Sequence, residues 1–202
     1  MATNKEFFNR RLHSLLGVIP VGIFLIQHLV VNNFATRGPE AFNKAAGFME
    51  GLPFRLALET FIIFLPLLFH AIYGLYIAFT AKNNVSNYSY FRNWMFLLQR
   101  VSGVITLIFV AWHVWETRIQ VFFGAHVDYE MMANIVDNPA MLAFYIVGIL
   151  STVFHFANGL WSFAVSWGLT VTPRSQRIST YVTLGVFVVL AFVGVRAILA
   201  FA

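Results

Sequence analysis

Four of the six histidines in this 202-residue chain lie inside long apolar runs: His28, His70, His113 and His155. A titratable ring in hydrocarbon is costly without a partner, so such a residue marks a functional site by default. The spacing is regular. His28 and His70 are 42 residues apart, as are His113 and His155, and the second pair is the first shifted by 85. Under that shift Phe69, His70, Gly74 and Leu75 fall on Phe154, His155, Gly159 and Leu160, and Tyr76 falls on Trp161. The chain therefore carries an internal repeat, clearest in its second half.

The elements that must hold these rings follow from composition. Hydrophobic residues make up 59% of the chain and charged residues only 10%, against about 25% charged in a soluble domain. Much of the surface must face lipid, and apolar runs of roughly 20 residues read as membrane-spanning helices. Five runs qualify, at about 12–34, 57–81, 96–115, 139–171 and 178–201, so the expectation is an all-α integral membrane protein forming one domain over residues 1–202. The first run is too long for a signal-peptide core and is expected to be retained. The fourth exceeds what a bilayer needs and is expected to tilt or project. With no cysteine, thiolate-bound clusters, thioether-attached haem, disulfides and thiol nucleophiles are excluded. The net charge of +5 does not point to nucleic acid, because the basic residues cluster at the ends of apolar runs.

Five spans place the termini on opposite sides. Lys5, Arg10, Arg11, Lys82, Arg92, Arg100, Arg174 and Arg177 fall on the N-terminal side; Arg37, Lys44, Arg55, Arg118 and Arg196 fall on the other, with every carboxylate except Glu6. The positive-inside rule makes the N-terminal side cytoplasmic and the C-terminus external.

Depth then pairs the histidines. At about 1.5 Å per residue, His28 lies about 26 Å from the cytoplasmic edge marked by Arg11. His113 lies three residues before Glu116, also toward the outer face. His70, between Glu59 and Lys82, and His155, between Asp137 and Arg174, lie near the middle. So His28 should face His113 at an outer level and His70 should face His155 at an inner one, about 9 Å away along the helix axes. The repeat halves run in the same direction, which implies a pseudo-two-fold axis along the membrane normal. The first four helices then surround that axis, with the fifth outside. Two opposed imidazoles suit the axial positions of a haem iron in an apolar bundle. Zinc would need four close ligands, and only two share a level. Two stacked bis-histidine b haems fit best.

Other residues take secondary places. Gly74 and Gly159 lie one turn beyond their histidines, on the same face, where a side chain would crowd a flat ring. Gly17 and Ser102 precede His28 and His113 by 11 residues and share the histidine face at the inner level. Arg10, Arg11, His13, Ser14, Gln99 and Arg100 gather at the inner ends of the first and third spans, where haem propionates would need partners; stop-transfer anchoring accounts equally well for each arginine. Gln27, Asn32, Asn33, Arg37, Glu59, Trp112, Trp115, Glu116 and Arg118 gather near the outer level. That mixture suits a quinone head group, with Glu116 a candidate proton relay. His126, beside Asp128 and Glu130 in the 119–138 loop, reads as a solvated residue.

The stretches RRLHSLLGVIPVGIFLIQHLV, FLPLLFHAIYGLY, QRVSGVITLIFVAWH and STVFHFANGLW resemble the five-helix dihaem cytochrome b subunits of succinate dehydrogenases, in the menaquinone-reducing type of bacilli. The resemblance covers essentially the whole chain. It implies axial ligands at His28, His70, His113 and His155, menaquinone as the substrate near the outer haem, and a plasma-membrane anchor for a flavoprotein and an iron–sulfur subunit on the cytoplasmic side. It assigns no catalytic residue for succinate to this chain. Other readings are a fumarate reductase, hydrogenase or formate dehydrogenase anchor, or a non-redox transporter with a histidine relay.

Overall fold

A computed structural model describes residues 4–202. Among these residues the secondary structure is entirely helical. Five helices are long and apolar enough to cross a membrane: α1 (Asn4–Arg37), α3 (Arg55–Thr80), α4 (Phe91–Phe122), α6 (Pro139–Ser166) and α7 (Pro173–Leu199). Two shorter helices, α2 (Pro39–Glu50) and α5 (Tyr129–Val136), lie in the loops beyond α1 and α4. The apolar-run pattern leaves 119–138 as a loop and assigns no element to 35–56.

Local chemistry accounts for the boundaries. Pro20 lacks an N–H, and the helical run of α1 is interrupted at Ile19, where the ladder must skip one bond. Gly168 takes φ +74°, a left-handed conformation that glycine adopts without strain. The amide of Leu169 folds back onto the Ala164 carbonyl at 2.8 Å, and α6 ends. Its apolar run continues to Val171, but the helix stops at Ser166, so the end of the run is a turn and the remaining 28-residue helix still exceeds the roughly 20 residues that a bilayer needs. Helix α7 then starts five residues earlier than its apolar run suggested. Thr172 caps it in a reciprocal box with Ser175, and Pro173 occupies the first turn, where the missing N–H costs nothing. Asn138 and Asp128 cap α6 and α5 through their side-chain oxygens.

Helices α1, α3, α4 and α6 form a four-membered ring, each packed against two neighbours, and α7 lies outside against α6 and the second half of α1. Small residues set the close approaches. A Cβ on Gly148 of α6 would sit 2.2 Å from the Phe109 ring of α4, and one on Gly194 of α7 would sit 2.7 Å from Ile149. The tightest apolar cluster lies at the face carrying the C-terminus. There Phe42 of α2 meets Phe201 edge-on with ring centres 4.9 Å apart, and Tyr129 of α5 donates its hydroxyl to the Ala200 carbonyl. Met132, Val136, Tyr145 and Ile198 complete it. The loop helices thus close over that end of the ring. Exposed Ile, Leu, Val and Phe side chains run along the outer faces of α1, α3, α4 and α7, while α6 exposes only Val147 among its large apolar residues, the pattern expected where lipid is the solvent.

Candidate haem sites

The ring arrangement puts α1 diagonally opposite α4, and α3 diagonally opposite α6. The histidines follow those diagonals. His28 and His113 have ring centres 5.8 Å apart at 72°. His70 and His155 have ring centres 6.1 Å apart at 83°. Metal–imidazole bonds of about 2 Å on either side of one ion would put ring centres about 6 Å apart. No group of three or more His, Cys, Asp or Glu among the described residues could hold a bare metal ion. Two ligands are what an iron already seated in a porphyrin takes from the protein.

The second ring nitrogen is accounted for at three of the four histidines. His70 Nδ1 lies 2.9 Å from the His13 carbonyl, and His155 Nδ1 lies 3.0 Å from the Gln99 carbonyl. A carbonyl can only accept, so each Nδ1 carries the proton and each Nε2 is left with its lone pair. Metal-binding histidines are usually oriented this way. His113 Nδ1 lies 3.3 Å from the Tyr145 hydroxyl, which itself donates to Glu116 Oε2 at 3.1 Å. With that hydroxyl proton committed, the phenol oxygen accepts from His113. The residues present therefore fit two bis-histidine haems by ligand number and separation, and by tautomer at His70, His113 and His155.

Glycines make room for the inner rings. A Cβ on Gly17 would lie 2.3 Å from His70 Cε1, and one on Gly103 would lie 2.8 Å from His155 Cε1. The expected counterpart of Gly17 was Ser102. The structure moves that role one residue on, to Gly103, while the Ser102 hydroxyl stands 3.5 Å from His155 Nδ1. The same slip relates the two carbonyl acceptors, because His13 and Gln99 are 86 apart in sequence, not 85. The outer histidines keep the 85-residue shift. Pro20, where α1 lacks one ladder bond, lies between the two levels.

His13, one of the polar residues grouped at the inner ends of the first and third spans, belongs to the inner level. Its ring stacks on His70 with centres 4.1 Å apart and planes within 7°. Gly74 faces it, since a Cβ there would be 3.1 Å from His13 Nε2. Gly159 faces Gln99 in the same way, at 3.4 Å. Gln99 is tied further, donating to the His155 carbonyl at 2.9 Å and accepting from Asn158 at 2.7 Å. The basic residues nearby are spread out. Arg10 pairs with Glu6 at 2.8 Å, Arg11 lies over the Phe7 and Trp167 rings, and Arg100 lies over Phe96. Ser14 accepts from Trp167 Nε1 at 3.0 Å.

The polar residues expected around the outer pair separate into distinct groups. Glu116 joins His113 through Tyr145, as above. Glu59 and Arg118 form an ion pair at 2.6 Å with side chains about one-fifth exposed, and Arg55 reaches the other Glu59 oxygen at 3.8 Å. Asn32 donates to the His28 carbonyl, Gln27 reaches Met49 Sδ, and Arg37 lies over Phe34. Trp112 and Trp115 are half exposed and face outward. His126 is exposed in the loop, as expected. Tyr145 and Gly103 were not singled out from sequence. Both occur in runs of ordinary apolar or small residues, with nothing local to distinguish them.

The profile of the succinate dehydrogenase/fumarate reductase transmembrane subunit family matches residues 80–194, more than half of the chain. A curated relative, the succinate dehydrogenase cytochrome b558 subunit of Bacillus subtilis (strain 168), is 74% identical over 201 residues and spans all of both chains. The chain belongs to the succinate dehydrogenase/fumarate reductase transmembrane subunit family. Membership agrees with the expected five-span helical fold and sets aside the hydrogenase, formate dehydrogenase and transporter readings. The family profile itself leaves the direction of reaction open. The relative carries the dehydrogenase name, and its match extends over α1 and α3, which lie almost wholly before the profile begins.

Proposed function

We propose that this chain is the cytochrome b membrane anchor of a succinate:menaquinone oxidoreductase. In this reading two b haems are held, one by His28 and His113 and one by His70 and His155. The anchor sits in the plasma membrane with its N-terminus cytoplasmic, where it receives a flavoprotein and an iron–sulfur subunit. Menaquinone is reduced near the His28–His113 end. The name and full-length identity of the relative support the assignment to a succinate dehydrogenase. The observation that carries the ligand assignment is the pairing of four rings along the two diagonals, with Nδ1 engaged at His70, His113 and His155.

When bound, haem supplies reversible one-electron acceptance and release, at two depths in this chain. The protein's own residues do the rest. The His13 and Gln99 carbonyls fix the inner rings and their tautomers. Gly17 and Gly103 admit those rings between helices. The apolar side chains of the bundle exclude water and lower the local dielectric, which tunes potential. Arg55, Glu59 and Arg118 place charge at the same face as the outer pair, the chemistry a quinone head group needs beside it.

The test is a redox titration of the visible spectrum for the purified complex and for each His→Ala variant. His28→Ala and His113→Ala should each remove the same reduced-state band and leave the other. His70→Ala and His155→Ala should remove the second. Losses grouped as His28 with His70, or a colourless folded wild type, would overturn the assignment.

A further inference from the structure

The two levels differ in what stands behind their ligands. At the inner level both Nδ1 donors meet neutral backbone carbonyls, related by the repeat. At the outer level His113 meets a side chain, Tyr145, which is only 2% exposed and is packed by Phe109 and Phe144. Its hydroxyl is bound to Glu116. The repeat offers no equivalent for His28. The positions 85 residues before Tyr145 and Glu116 are Thr60 and Val31, and neither can form a phenol–carboxylate link. Within an otherwise two-fold ligand set, one histidine out of four is backed by a buried phenol tied to an acid.

We propose that Tyr145 is a positioning residue that transmits the negative end of Glu116 to His113 and so holds the outer haem in its oxidised form. This rests on the proposed function, which places a haem between His28 and His113. A phenol that donates a hydrogen bond to a carboxylate becomes a stronger acceptor for His113 Nδ1–H, because successive hydrogen bonds polarise one another. A stronger acceptor makes the imidazole a more electron-donating ligand, and that favours the ferric state. Glu116 sits three residues after His113 on α4 and does not bond it directly. It acts through the α6 residue, which also locks the relative rotation of the two helices at this level.

The test uses the purified membrane complex carrying Tyr145→Phe, Glu116→Gln or both. Midpoint potentials of the two haems are read from the visible spectrum, and the ferric low-spin signals from electron paramagnetic resonance. Tyr145→Phe keeps the ring and removes only the hydroxyl. It should shift the outer haem's ferrous-to-ferric ratio at fixed potential about tenfold toward ferrous, equivalent to about +59 mV for one electron. Its low-spin signal should move as well, while the inner haem stays unchanged as the internal control. Glu116→Gln should shift the outer haem the same way by a smaller factor, and the double variant should match Tyr145→Phe alone. If Tyr145→Phe leaves the outer potential and signal in place, or if Glu116→Gln acts undiminished on the Tyr145→Phe background, the relay is wrong. If Tyr145→Phe loses the outer haem, Glu116→Gln decides alone: a raised outer potential supports the relay and an unchanged one overturns it. Absence of both haems from the wild type would instead defeat the proposed function.

Discussion

At the scale of single residues, the partner of one ring nitrogen decides which nitrogen stays free, and three of the four proposed ligands have Nδ1 engaged. His70 and His155 each spend Nδ1 on a carbonyl of the helix beside them, which leaves Nε2 available. His126, exposed in a loop, has no such setting. Gly17 and Gly103 are as restrictive as the histidines, because the ring edge occupies the space where their Cβ atoms would lie. Neither ring is the loose end of a flexible chain, since each is pinned at Nδ1. Gly17→Ala and Gly103→Ala should therefore displace the inner ring, with overpacking costs of about 1–3 kcal/mol. The expected outcome is loss of the inner haem band with the outer band retained, measured by reduced-minus-oxidised spectra. Gly47→Ala, where nothing lies within 4 Å of the added carbon, should leave both bands unchanged.

At the scale of elements, two of the long helices depart from regular α geometry near the same face. Glu59–Phe64 in α3 and Trp115–Ile119 in α4 are π-helical, a form that tends to occur at functional sites. The Glu59–Arg118 pair joins these two segments directly. Removing Arg118 leaves the mostly buried Glu59 carboxylate with only the longer contact to Arg55 at 3.8 Å, which is destabilising. Arg118→Ala should lower the thermal midpoint of the detergent-solubilised complex more than Arg118→Ala combined with Glu59→Gln does. A double-mutant cycle should return a coupling of about 1 kcal/mol or more. Additive losses would mean that the pair contributes nothing beyond its separate side chains.

At the scale of the whole molecule, five long helices put residues 81–90 and 167–172 at one face of the bundle and residues 38–54 and 123–138 at the other. The excess of basic side chains at the first face supports a cytoplasmic assignment. The natural absence of cysteine makes the test clean. A single Ser86→Cys should be shielded from a membrane-impermeant thiol reagent in intact cells and react after permeabilisation. A single Ala125→Cys should react in both. The reverse pattern would invert the proposed topology.

How much was legible beforehand differs by feature. Membrane class, span number and the pairing of histidines by depth follow from sequence alone. Hydropathy is a sum over residues, and depth along a helix is nearly linear in residue number. The end of α6 was not legible, because the apolar run to Val171 hides a turn made by one glycine's φ. Nor were the loop helices α2 and α5, whose apolar faces have meaning only against Phe201 and Ile198. Tyr145 and Gly103 emerged only in three dimensions. A tyrosine in an apolar stretch and a glycine beside a serine are common, and what distinguishes these two is contact across the bundle with a histidine 32 or 52 positions distant in the chain. Local composition could decide which residues are costly to place in a membrane; only helix rotation and packing decide which side chain each of them meets.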